Sequence, residues 1–117
     1  MPAFEQAHLQ SLATLSSNTV LITGADGMLG RAFAESLAAV PDCRVIALGR
    51  DRLDVTDREA VMAFAGANPG WIVHCAADVN ADRCETNPDA CHAVQVGGSE
   101  NVAALARACG ARVLFPQ

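Results

Sequence analysis

Residues 20–22, Val-Leu-Ile, form an apolar run that stops at Thr23 and opens into glycines at 24, 27 and 30. The period then changes, with Leu29, Phe33 and Leu37 at helical spacing and Ala32 and Val40 on the same face. This alternation repeats along the chain. Residues 45–48, 71–75 and 112–115 read as further strands, while Val61, Phe64 and Ala65, and then Val102, Leu105, Ala106 and Cys109, mark helical stripes. Turn chemistry marks the joints. Thr56 with Glu59 reads as a capping box ahead of the second helix, which Asn68, Pro69 and Gly70 should end. Asn87 and Pro88 supply an N-cap and first-turn proline for the last helix, which Gly110 stops. Gly97 and Gly98 either interrupt that helix or let it pack closely. Phe4, Leu9, Leu12 and Leu15 mark a short amphipathic helix in an N-terminal extension, residues 1–17, ahead of a domain over 18–117.

Strands alternating with helices imply right-handed crossovers and a parallel sheet. The expected fold is therefore α/β, a Rossmann-like doubly wound sheet of about four strands in the order 3-2-1-4, incomplete at its C-terminal side. Its ligand crevice would lie between strands one and four. The outer side of the fourth strand would be an open edge, available to a second copy of the chain or to a partner chain.

The glycine triplet carries specific chemistry. Gly24 permits a tight strand-to-helix turn, Gly27 lets the backbone approach a pyrophosphate, and Gly30 lets the helix pack close to the strand. Amides at the helix start would then face the phosphates of a dinucleotide. The end of the second strand, Gly49-Arg50-Asp51-Arg52, bears on cofactor choice. Arg50 is placed to pair with a 2'-phosphate, which favours NADP over NAD; the alternative is a solvated loop arginine balanced by Asp51.

Composition narrows the chemistry. Hydrophobic residues make up 51% of the 117 and charged ones 18%, with four Phe, one Trp and no Tyr, so Ala, Val, Leu and Ile must build the core. That suits buried parallel strands under small-residue helices. A net charge of -5 without an arginine cluster argues against nucleic acid or an anionic membrane surface as partner. No apolar stretch approaches a membrane span and residues 1–17 lack a signal peptide's pattern, so a cytoplasmic location is expected. The cysteines at 43, 75, 84, 91 and 109 are odd in number and lack a Cys-x-x-Cys pair, so reduced, mostly buried thiols are expected. Cys84, Cys91 and His92 lack the paired spacing of a zinc site, and no metal is expected. Histidines 8, 74 and 92 read as structural. All eight basic residues are arginines, so this polypeptide alone has neither a phenolic acid nor a lysine for catalysis.

The chain resembles the N-terminal part of the extended short-chain dehydrogenase/reductases. Thr23-Gly24-Ala25-Asp26-Gly27-Met28-Leu29-Gly30 is similar to that family's Thr-Gly-x-x-Gly-x-x-Gly cofactor loop. Leu53-Asp54-Val55-Thr56-Asp57, Cys75-Ala76-Ala77 and Glu85-Thr86-Asn87-Pro88 are most similar to the dTDP-4-dehydrorhamnose reductases. The resemblance implies that Gly24, Gly27, Met28, Leu29 and Gly30 hold the pyrophosphate, that Asp54 and Val55 border the adenine, and that Ala76 and Ala77 line the ribose and nicotinamide side. It departs from the family at Val94-Gln95-Val96-Gly97-Gly98-Ser99, where a Val-Asn-Val-x-Gly-Thr segment often supplies a catalytic-network asparagine. The family's Tyr-x-x-x-Lys pair would fall beyond Gln117. The implied function is the NADP-binding portion of a sugar-nucleotide 4-ketoreductase that does not turn over alone. The alternative is a non-catalytic dinucleotide-binding regulatory or interaction module. A methyltransferase using a similar sheet is disfavoured by the glycine spacing.

Overall fold

The computed structural model describes residues 18–76 and 86–116, leaving aside the side chains of residues 93 and 94. Four strands, β1 (Thr19–Thr23), β2 (Arg44–Leu48), β3 (Trp71–His74) and β4 (Arg112–Leu114), form one parallel sheet. The helices are α1 (Met28–Ala38), α2 (Arg58–Met62) with a 3₁₀ helix continuing it over Ala63–Ala67, and α3 (Pro88–Cys109). The fold is α/β and Rossmann-like.

All five residues of β1 are buried, because both of its faces are covered. Val20 and Ile22 point to one side, where Val73 and the α1 residue Leu37 join them with Val40. Leu21 points to the other, against Ile72, Val61, Val102, Leu105 and Ala106. The two-residue period of a strand thus divides one apolar run between two cores. Each fully buried aliphatic side chain contributes about 1.5–3 kcal/mol relative to exposure.

The strand order is β2-β1-β3-β4, not the 3-2-1-4 expected from the sequence. The reason lies in which strands can be interior. β2 exposes Arg44 and Ala47 and suits an edge, whereas Ile72, Val73 and His74 of β3 are all buried and need neighbours on both sides. A right-handed crossover through α2, on the face opposite α1, carries the chain back across β1 to place β3 there. The reversal in strand order, and so the crevice, falls between β1 and β3 rather than between strands one and four.

Local signals fared unevenly. Asn87 accepts a hydrogen bond from Ala90 N, with Pro88 in the first turn, and Gly110 ends α3 at φ 69°, as the sequence suggests. α3 runs unbroken through Gly97 and Gly98. The capping box at Thr56 does not form. Asp57 is the N-cap of α2, accepting from Ala60 N at 3.2 Å, because Thr56 donates instead to Asp54. Cys43, Cys75 and Cys109 are free thiols, each made less acidic by burial. Cys91 is disulfide-bonded, against the expectation of reduced thiols throughout; an odd count excludes complete pairing, not a single bond. The expected N-terminal helix lies outside the described residues. Among those described, no helix is long and apolar enough to cross a membrane.

Candidate dinucleotide-binding site

In an open parallel sheet, ligands bind beyond the carboxyl ends of the strands where the winding reverses. Here that point is the gap between the ends of β1 and β3, in register at Thr23 and His74. Gly24 leaves β1 at φ 62°, a left-handed conformation that glycine adopts readily. A Cβ there would also lie 2.6 Å from Ala76 N, so the turn fits only by pressing bare backbone against the end of β3. Ala25 N donates to Leu48 O at 3.1 Å, tying the same turn to β2.

The other two glycines divide in purpose. A Cβ on Gly30 would sit 2.2 Å from Gly24 O, so α1 can approach the turn only without a side chain at this position. A Cβ on Gly27 would meet nothing nearer than Gly24 O at 3.5 Å, an ordinary contact. Packing within the protein therefore explains Gly24 and Gly30 but does not require Gly27.

Gly27 is also the N-cap of α1, with no side-chain cap and no acid in the first turn. The first-turn amides of an α-helix, here those of Met28, Leu29 and Gly30, have no intrahelical acceptor. Aligned peptide dipoles add positive potential at the same end. Met28 is 92% exposed and Leu29 43%, two apolar residues left uncovered in this first turn. A diphosphate fits this arrangement: donors and positive potential converge, and the absent Cβ of Gly27 lets oxygen atoms approach backbone.

The neighbouring end of β2 is more polar. Gly49 is buried, and a Cβ on it would come within 3.0 Å of Asp51 Oδ1 and 3.2 Å of Asp26 Cβ. Arg50 is exposed beside them. Asp54 Oδ1 accepts from the Thr56 hydroxyl at 2.6 Å and from Thr56 N at 3.0 Å. Those two bonds, with a smaller contribution from the Arg50 charge, hold its carboxyl below the usual carboxylate range against slight desolvation. Asp54 thus shapes its own loop. Val55 is buried, its side chain in the core and its carbonyl accepting from Asn101 Nδ2 at 2.9 Å. Gly98 presses on it, since a Cβ there would lie 2.7 Å from Val55 Cγ2.

The structure therefore brings Gly24, Gly27, Gly30 and Ala76 together at the end of β1, with Met28 and Leu29 exposed in the first turn of α1. It puts Arg50 and Asp54 on the loop beyond β2, and it turns the Val55 side chain inward. Ala77 lies outside the described residues, and Gln95 is exposed on α3.

Sequence reasoning did not give a site role to Thr23, His74 or Asn101. The Thr23 hydroxyl lies 2.7 Å from His74 Nδ1 and accepts from Ala76 N at 3.2 Å. Burial lowers the His74 pKa by disfavouring the imidazolium. The available signal was two polar residues ending otherwise apolar strands.

Residues 18–116 match the family described as the RmlD substrate binding domain. The chain is 38% identical over 104 residues to a dTDP-4-dehydrorhamnose reductase of Mycolicibacterium smegmatis, covering 89% of this chain and 30% of that protein. It is also 38% identical over 108 residues to methionine adenosyltransferase 2 subunit beta of Rattus norvegicus, covering 86% of this chain and 32% of that one. Among solved structures, the dTDP-4-dehydrorhamnose reductase from Bacillus anthracis in complex with NADP superposes with a TM-score of 0.79. It shares 29% identity, with 86% of this chain and 36% of the other covered. The chain thus spans about a third of the length of the relatives it matches.

Proposed function

The chain belongs to the RmlD substrate binding domain family, and on that footing we propose that it is the NADP-binding portion of a sugar-nucleotide 4-ketoreductase of the dTDP-4-dehydrorhamnose reductase kind. Residues 18–117 form the binding unit. The observation that carries the reading is Gly27, a glycine without an internal packing reason at an uncapped helix N-terminus beside the β1/β3 gap.

In this reading the amides of Met28, Leu29 and Gly30 hold the pyrophosphate, and Gly24 and Ala76 form the floor beside it. Arg50 pairs with the 2'-phosphate through a charge-assisted, bidentate contact that NADH cannot offer. Asp54 and the Val55 backbone border the adenine, and Ala76 and Ala77 flank the nicotinamide side. When bound, the reduced nicotinamide supplies a hydride. The chain's own residues bind and orient the cofactor, and a protein of this kind works in the cytoplasm on a sugar nucleotide.

Residues 1–117 contain neither tyrosine nor lysine, so the chain is expected to bind without turning over. A second reading is favoured by the likeness to methionine adenosyltransferase 2 subunit beta: a dinucleotide-binding module that acts on a partner chain, with the outer edge of β4 as a docking edge. Calorimetric titration with NADPH and NADH, alongside an assay of NADPH oxidation with a keto-sugar nucleotide, tests the first reading. Tighter binding of NADPH without oxidation supports it. Equal or tighter binding of NADH removes the role given to Arg50, and steady oxidation removes the claim that the chain is inactive alone.

A further inference from the structure

His74 is a buried, titratable side chain that the binding scheme above does not use. It ends β3 beside Thr23, and the two residues are 7% and 1% exposed. Its ring meets Phe115, after β4, edge to face at a centroid distance of 5.6 Å. Its Cε1 lies 3.9 Å from where a Gly98 Cβ would be on α3. One side chain therefore touches the end of β1, the middle of α3 and the segment after β4.

The bond from Ala76 has a fixed direction, and that between Thr23 and His74 follows the tautomer of the ring. Thr23 Oγ1 accepts from Ala76 N, and its own proton has one acceptor among the described residues, His74 Nδ1 at 2.7 Å. A ring carrying its proton on Nδ1 would donate to the same oxygen and leave the buried hydroxyl proton without an acceptor. A neutral ring carrying its proton on Nε2 is the tautomer that accepts from this hydroxyl, and it is the one the proposal below requires. With the hydroxyl oriented in this way, Oγ1 holds the Ala76 amide, and the backbone at Ala76 is the surface on which Gly24 turns.

We propose that His74 is a positioning residue for the dinucleotide cradle, accepting the Thr23 hydroxyl proton so that Thr23 fixes Ala76 against the Gly24 turn. This inference rests on the dinucleotide reading of the crevice. Its ligand is the cofactor's diphosphate-bearing half, reached through Gly24 rather than by contact with the imidazole. The ring's place in the fold is separable from this role, since phenylalanine preserves the edge against Phe115 but not the acceptor.

The test compares His74→Phe, Thr23→Val and Thr23→Ser in the full chain, measuring the NADPH dissociation constant and the thermal midpoint for each. The first two are expected to weaken NADPH binding about three- to tenfold, the range set by losing one neutral hydrogen bond. Thr23→Ser should recover most of what Thr23→Val loses. Lower midpoints with dissociation constants unchanged for the folded protein would overturn the proposal while leaving the dinucleotide reading intact. Failure of the wild-type chain to bind NADPH would remove both. Nitrogen-15 NMR of the wild-type imidazole gives a check independent of any variant's folding: an Nε2–H tautomer supports the proposal, and an Nδ1–H tautomer overturns it.

Discussion

Gly30 lies so close to Gly24 that a Cβ on the former would sit 2.2 Å from the carbonyl oxygen of the latter. Both obstructing groups are backbone, which cannot swing aside as a side chain can. Gly30→Ala should therefore push α1 off the sheet and lower stability by about 3 kcal/mol or more, at the upper end of overpacking effects. Urea unfolding followed by circular dichroism measures this. A loss below about 1 kcal/mol would mean that the helix start relaxes more easily than this geometry allows.

Gly98 and Val55 offer a test of how α3 fixes the loop after β2. Gly98→Ala gains about 1 kcal/mol of helix propensity but drives a Cβ to within 2.7 Å of Val55 Cγ2. In wild type the overlap should cancel or reverse the gain. In a Val55→Ala background the same change should stabilise. A double-mutant cycle by urea unfolding should give a coupling of at least about 1 kcal/mol, and additivity within about 0.5 kcal/mol would contradict the contact.

Much of this was legible in the sequence because glycine spacing and apolar runs are local signals. The strands at 45–48 and 71–75, the Asn87-Pro88 start and the Gly24-Gly27-Gly30 loop all follow from neighbouring residues. Strand order was not legible in that way, because it depends on which strand buries both faces, and Ile72 and Val73 outrank the partly exposed β2 for the inner place. The capping box failed through competition: Asp54, two residues before Thr56, takes the hydroxyl and amide that the box would have used. The Thr23–His74 pair joins residues 51 apart and becomes visible only once β1 and β3 are known to be neighbours.

His74 also makes stability depend on pH with a definite sign. Burial lowers its pKa from the ordinary 6.5, so between that value and the folded one the unfolded chain holds a proton that the folded chain does not. Its contribution is fully present above 6.5 and is lost as pH falls through the folded pKa. Asp54, whose carboxyl is held below its ordinary 3.8, changes only in a more acidic range. The urea midpoint should therefore fall as pH is lowered from about 7.5 to about 5.5, with a weaker slope in His74→Phe. The same slope in both proteins would assign the effect to another group.

In the proposed function the glycine loop cradles a diphosphate, and Gly27 isolates that role because the protein's own packing leaves room for a side chain there. The decisive measurement is a calorimetric titration of NADPH into wild type and into Gly27→Ala, with the thermal midpoint of each recorded beside it. Wild type should bind saturably and one to one, Gly27→Ala should lose about tenfold or more, as expected when a charge-assisted contact is broken, and its midpoint should fall by only a few degrees, because alanine is a poorer N-cap than glycine. Equal affinity in the two proteins, or no binding by wild type, would contradict that role.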